Sequence, residues 1–207
     1  MGKTAEKIEA VALKLFAERG YEGTSVRAIC EAAGTNVNAV SYHFGGKQAL
    51  YTAIVDRYSS RRLDAAARIV GEPPRDLADF ETRLHLYAEE LLASYLAAPE
   101  LLIVMFAEWQ QGFRNYGGGD VTEKLVAEGK LLTDFLTKAR HRRLLRKGVD
   151  PAIVAGALFE RLSNQVRYAE AIEAVYGVSV ADPAYRRHWI KQTVDLLLFG
   201  AARPKEE

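Results

Sequence analysis

The chain has 207 residues, with 28 Lys and Arg against 27 Asp and Glu, a formal net charge of +1. A sum so near zero excludes a histone-like coating protein or a long polybasic arm, and 49% hydrophobic with 27% charged residues excludes a disordered chain. The balance is uneven, because residues 1–62 hold nine basic and six acidic residues and the remainder 19 and 21.

The first apolar positions, Ile8, Val11, Ala12, Leu15 and Phe16, recur at helical spacing, and Gly20 ends that helix. Thr24 or Ser25 is placed to cap a second helix over about 25–32, with Val26, Ile29 and Ala33 facing in and Gly34 ending it. Asn36 is placed to cap a short third helix over about 36–43. Gly45-Gly46 breaks the chain before a long fourth helix over about 46–70, marked by Leu50, Ala53, Ile54 and Tyr58.

Gly71-Glu72-Pro73-Pro74 is a stop. Helical patterns follow over about 76–97, 99–115, 121–146, 151–176 and 183–202, with Pro99, Pro151 and Pro183 each at a first turn that tolerates proline. No alternating β-branched run competes. The expected fold is therefore all-α with about nine helices: three short ones forming an N-terminal helix-turn-helix domain, then a longer helical C-terminal domain. The domain boundaries read as 1–48 with the motif at about 25–44, a joining helix 46–70, and 71–207.

Thr24 to Lys47 carries the functional signal. Helix, tight turn at Gly34 and short helix is the form in which a second helix projects into the DNA major groove. Small residues at Ala28, Ala32 and Ala33 allow close helix approach, and Val26, Ile29, Val40 and Phe44 pack toward Leu15 and Phe16. Left outward are Val37, Asn38, Ser41 and Tyr42; Asn reads an adenine edge and small apolar groups touch a thymine methyl. Ser25, Tyr42, His43 and Lys47 surround them as phosphate holders, and Gly46-Lys47 opens a helix whose amides favour a phosphate. Spacing alone leaves a second reading open: a three-helix bundle with a glycine turn, its Tyr42-His43-Phe44 a packed aromatic cluster, occurs in many all-α proteins.

Residues 5–58 resemble the DNA-binding domain of the tetracycline-repressor (TetR) family of bacterial transcription regulators. The resemblance rests on Ala12-x-x-Leu15-Phe16-x-x-x-Gly20-Tyr21-x-x-Thr24-Ser25-Val26, then Ile29-x-x-x-Ala33-Gly34, then Tyr42-His43-Phe44-x-x-Lys47-x-x-Leu50. The resemblance implies a homodimer on a palindromic DNA operator, released when a small molecule enters the C-terminal domain. It also implies phosphate contacts at Ser25, Tyr42, His43 and Lys47, and base-facing positions at Arg27, Val37, Asn38 and Ser41. One departure stands out: the family often has a second Tyr before Tyr42, and this chain has Ser41 there.

Two later helices offer broad apolar faces that could pair with a second copy, as the family's last two long helices do. Leu158, Leu162, Val166, Ile190, Val194 and Leu197 are the expected interface; the same faces could instead bury one another within one chain. In the middle helices, Tyr87, Met105, Trp109, Phe113 and Arg114 read as a mostly apolar ligand pocket with a few orienting polar groups, or as ordinary core. The basic residues Lys138, Arg140, His141, Arg142, Arg143, Arg146 and Lys147 read as complementing a helix C-terminus, or as a second nucleic-acid surface.

Enzyme chemistry has no support: His43, His85, His141 and His188 are scattered, the single Cys30 gives no zinc pattern, and no nucleophile motif surrounds a serine. No metal and no cofactor are expected. With no internal disulfide, no apolar run of about 18 residues and no secretory h-region, a cytoplasmic setting is expected. The expected function is a ligand-responsive DNA-binding regulator, a repressor in sense, with an effector unknown in identity and no membrane partner. The alternatives are a helical interaction module that binds no DNA, or a small-molecule-binding bundle.

Overall fold

The computed structural model describes residues 2–112 and 120–200. Among these the chain forms ten α-helices: α1 (Lys3–Arg19), α2 (Val26–Ala33), α3 (Ala39–Phe44), α4 (Lys47–Val70), α5 (Leu77–Ala97), α6 (Pro99–Gln111), α7 (Asp120–His141), α8 (Pro151–Arg167), α9 (Ala169–Tyr176) and α10 (Pro183–Phe199). The all-α fold is as the periodicity implied. No single described helix is long and apolar enough to cross a membrane.

Packing divides the chain into two units, Met1–Leu63 with Ala98–Val126, and Asp64–Ala97 with Ala127–Glu207. The described residues of the first unit share a core. Ile8, Ala12, Leu15 and Phe16 of α1, Ile29 and Ala33 of α2, Val40 of α3, and Leu50, Tyr51, Ile54 and Val55 of α4 are buried together. Leu101, Val104 and Met105 of α6 join the same cluster. The sequence reading assigned α6 to the second domain; its packing partners are instead α1 and α4, because its apolar stripe has the right period for any core and the choice of core is a tertiary matter. Thr24 is fully buried and its hydroxyl donates to the carbonyls of Leu15 and Gly20, fastening the α1–α2 connection.

In the second unit, α5, α8 and α10 pack on one another. Leu84, Leu92, Leu158, Leu162 and Val194 are fully buried, and the Phe80 and Phe135 rings lie 5.6 Å apart. Arg83 holds the end of α4: its Nε donates to the Ile69 carbonyl at 2.6 Å, and terminal nitrogens donate to those of Glu72 and Pro73. The Ile69 carbonyl is one that the last turn of α4 leaves without an amide partner, and those of Glu72 and Pro73 belong to the turn that follows. Asp150 and Asp182 cap α8 and α10 by accepting from Ala152 N and Ala184 N.

Several boundaries differ from the sequence reading. The span 151–176 is two helices, broken at Tyr168 (φ −111°, ψ 22°); no glycine or proline marks this break, so the helical period runs through it unaltered. The helix expected over 121–146 ends at His141, after which Arg143 takes a left-handed φ of 61° and Arg142 donates to the Pro74 carbonyl at 2.7 Å. Lys138, Arg140 and His141 do occupy the last turn of α7, where cations complement the exposed carbonyls. Ala32 is exposed, so only Ala28 and Ala33 of the three small residues lie toward the core.

Candidate nucleic-acid interface

The helix-turn-helix is built by short-range rules. Ser25 accepts from Ala28 N at 3.1 Å and starts α2. Gly34 ends it with φ 62° and ψ 39°, a left-handed conformation that any Cβ makes costly. Asn36 Oδ1 accepts from Asn38 N at 2.9 Å, and Ala39 N donates to the Asn36 carbonyl, so Asn36 does organise the first turn. Regular helix starts only at Ala39, three residues later than expected, because that turn is spent before the repeating hydrogen bonds begin. Beneath it, the buried Cys30 thiol lies 3.6 Å from the Val37 carbonyl.

This anchoring leaves one edge outward. Val40 is fully buried and Phe44 half-buried, whereas Val37 is 53% and Tyr42 85% exposed, with Asn38 and Ser41 also exposed. A solvated valine in the turn and a projecting tyrosine on the short helix leave apolar surface unspent, as a groove-reading edge requires. His43 is exposed, its ring 4.9 Å from that of Tyr42 in an edge-to-face arrangement. Arg27 is exposed on α2 and its Nε donates to Glu31 Oε1 at 2.7 Å, which raises the Arg27 pKa above the ordinary guanidinium value. Ser25 uses its oxygen as a cap acceptor, and its O–H is left to donate.

Lys47 is held differently from the others. It is half-buried, with Nζ donating to the Tyr21 carbonyl at 3.0 Å and lying 4.1 Å from the Tyr21 ring centroid. Tyr21, Phe16 and Tyr51 form an aromatic seat, the Phe16 and Tyr51 rings meeting edge-on at 4.8 Å and those of Tyr21 and Tyr51 at 4.9 Å. Burial, with Glu22 and Glu108 nearby, raises the Tyr21 pKa. The ammonium is thus fixed at the start of α4 with donors to spare. All eight residues expected at the DNA contact therefore fall in α2, α3, the turns beside them and the first residue of α4.

Three of the residues expected at the ligand pocket lie among the described residues. Tyr87 is buried in the second unit, where its hydroxyl donates to the buried Glu128. Met105 belongs to the core of the first unit, and Trp109 is 56% exposed. Phe113 and Arg114 lie outside the described residues. Of the residues expected at the dimer face, Leu158, Leu162, Ile190 and Val194 are buried within the chain, and Val166 and Leu197 are half-buried. The helical wheel found the apolar stripe but could not say that the chain's own helices cover it. Ile153, Leu196 and Phe199 are the large apolar side chains that α8 and α10 leave exposed.

Residues missed in the sequence include Glu31, whose i,i+4 spacing from Arg27 was a usable signal, and Glu108, which had none. Among the described residues no group of three or more His, Cys, Asp or Glu side chains could hold a metal ion.

A helix-turn-helix held on a stable core, with its reading edge left exposed, defines a DNA-binding transcriptional regulator. Residues 8–54 match the family model for bacterial regulatory proteins of the tetR family. The chain is 26% identical to the HTH-type transcriptional regulator AcrR of Shigella flexneri over 172 residues, covering 76% of this chain and 79% of that protein. It is also 26% identical over 206 residues to the HTH-type transcriptional repressor NicS of Pseudomonas putida, covering 97% and 93%. A crystal structure of the regulator FadR from Bacillus subtilis, in complex with stearoyl-CoA, shares the fold with a TM-score of 0.69 at 17% identity, over 95% of this chain and 99% of that one.

Proposed function

We propose that the protein is a ligand-responsive repressor that binds a palindromic operator as a homodimer. Val37, Asn38 and Ser41, with Arg27 from α2, face base edges, and Ser25, Tyr42, His43 and Lys47 hold phosphates on either side. Residues 1–48 are the operator-reading part, and residues 71–207 carry the dimer and effector roles. The observation that carries the reading is the exposed edge formed by Val37 and Asn38 of the turn and Ser41 and Tyr42 of α3, a helix whose opposite side, Val40 and Phe44, is tied into the core. The excess of basic over acidic residues in 1–62 agrees with it, since phosphate neutralisation supplies most of the unselective part of such affinity. The setting that follows is the cytoplasm, with the DNA.

Two copies would place their reading helices in successive major grooves, about 34–36 Å apart. The exposed Ile153, Leu196 and Phe199 of α8 and α10 are the proposed contribution to the dimer face. The effector is a small molecule for the second unit, where Tyr87 and Glu128 form a polar pair inside apolar packing. Because α6 shares a core with α1 and α4, a shift of α6 would be felt by the operator-reading part. Effector and operator must then weaken each other by the same factor.

The test is selection of bound fragments from genomic DNA, followed by titration of the selected site over a range of salt. Log affinity is expected to fall with log salt, at roughly 0.9 per phosphate neutralised. Long-chain acyl-CoA thioesters, the class held by the FadR neighbour, are the first effector probes. No sequence selected and a flat salt response would overturn the reading in favour of a helical interaction module.

A further inference from the structure

Arg27 and Glu31 stand one turn apart on the outward side of α2, joined by Nε donating to Oε1 at 2.7 Å. Their side chains are 82% and 63% exposed, so the pair does little for folding. A carboxylate on the side of the molecule that approaches phosphates also opposes unselective DNA binding. Neither stability nor bulk affinity accounts for it. The geometry of the guanidinium does. Its five N–H donors form a rigid planar fork. Glu31 takes the donor on Nε and leaves the four on the two terminal nitrogens, and these present the parallel pair that fits guanine O6 and N7.

We propose that Glu31 is a positioning residue for base reading: by holding Nε of Arg27 it sets the guanidinium end-on to a guanine in the operator and keeps it from pairing unselectively with phosphates. A long arginine side chain loses rotamer freedom when it binds. A tether already made in the free protein removes part of that loss. It also excludes the side-on arrangement, which would use Nε itself. The inference rests on the reading of Arg27 as a base-facing residue of this DNA-binding protein.

The test uses the full chain and a library of its selected site with every position randomised. Wild type, Arg27→Ala, Glu31→Ala and Glu31→Gln are compared for base preference and for affinity to random-sequence DNA. Arg27→Ala is expected to lose a guanine preference at one position. Glu31→Ala is expected to weaken the preference at that same position about tenfold, while its binding to random DNA tightens. Glu31→Gln, which retains a carbonyl oxygen to accept from Nε, keeps most of the preference.

An unchanged preference in Glu31→Ala overturns the proposal, as does an effect of Glu31→Gln equal to that of Glu31→Ala. A shift confined to a different base pair also overturns it, because Glu31 would then be reading a cytosine amino group by itself. If wild type selects no sequence, the DNA-reading assignment fails at the outset, an outcome distinct from the other three. Both positions are solvent-exposed, and helix content by circular dichroism checks that the variants fold.

Discussion

The Tyr51 phenol donates to Glu108 Oε1 at 2.8 Å, and both residues are almost fully buried. The bond ties α6 to α4, 57 residues away in the chain, at the base of the aromatic seat on which Tyr21 and Lys47 rest. A buried carboxylate is tolerated only with partners, so the loss of one is costly. Tyr51→Phe is expected to destabilise the first unit by about 1–3 kcal/mol, read as a lower urea midpoint with an unchanged slope. A midpoint equal to wild type would show that the bond contributes nothing.

Gly34 is a residue whose backbone the motif cannot exchange freely. At φ 62° an L-residue with a Cβ is strained by roughly 1–2 kcal/mol. Gly34→Ala should lower the melting temperature and operator affinity together. Gly34→Asn should lower them less, since asparagine tolerates this region better. Equal behaviour of the two variants would remove the conformational argument.

Asn38 and Tyr42 should separate in their effects on DNA. Asn38→Ala is expected to cost about 1–3 kcal/mol at one A·T pair and little elsewhere. Tyr42→Ala should weaken all sequences alike, because phosphate contacts carry no base information. Competition binding with single-base operator variants distinguishes the two patterns; a uniform loss in Asn38→Ala would remove its reading role.

At the start of α5, Asp79 accepts from Arg75 N at 2.8 Å and pairs with Arg75 and Arg83, which lowers its pKa from the ordinary 3.8 to about 2. A lowered carboxylate stabilises the folded state fully above its unfolded value and loses that contribution as the pH falls toward the folded one. Stability should therefore decline between about pH 4 and 2, and Asp79→Asn should flatten this part of the profile. Glu9 works in the opposite sense. Its burial raises the pKa despite the Arg57 pair, so protonating it as the pH falls favours the folded state. A profile that Asp79→Asn leaves unchanged would show that the Arg75–Asp79–Arg83 cluster does not govern acid stability.

On α8, Leu158 and Ile153 should behave differently although both are apolar. Leu158 is fully buried, and Leu158→Ala should cost about 2–5 kcal/mol of folding stability. Ile153 is 71% exposed, and Ile153→Glu should leave folding intact and shift the oligomeric state in sedimentation. Retention of a dimer by Ile153→Glu would move the proposed face elsewhere.

Much of the helix-turn-helix that carries the proposed DNA contact was legible in the residues because it is made by local rules. The cap at Ser25, the left-handed Gly34, the Asn36 turn and the apolar spacing of Ile29, Ala33, Val40 and Phe44 all act within a few residues. The ligand and dimer positions were less legible. Met105 and Leu158 have the same helical periodicity whether they face a cavity, a second copy or the chain's own core. The break at Tyr168 left no mark, since neither glycine nor proline sits there.

The amino-acid sequence by itself determined the all-α class, the helix-turn-helix and its outward residues, and the concentration of basic charge in the first 62 positions. Only the tertiary structure decided that α6 packs with α1 and α4, that Glu108 meets Tyr51 and that Leu158 is already covered. The reason is range. Capping, turn conformation and helical period are properties of neighbours along the chain, whereas the partner of an apolar stripe or a buried carboxylate is chosen among segments that the chain brings together only when it folds.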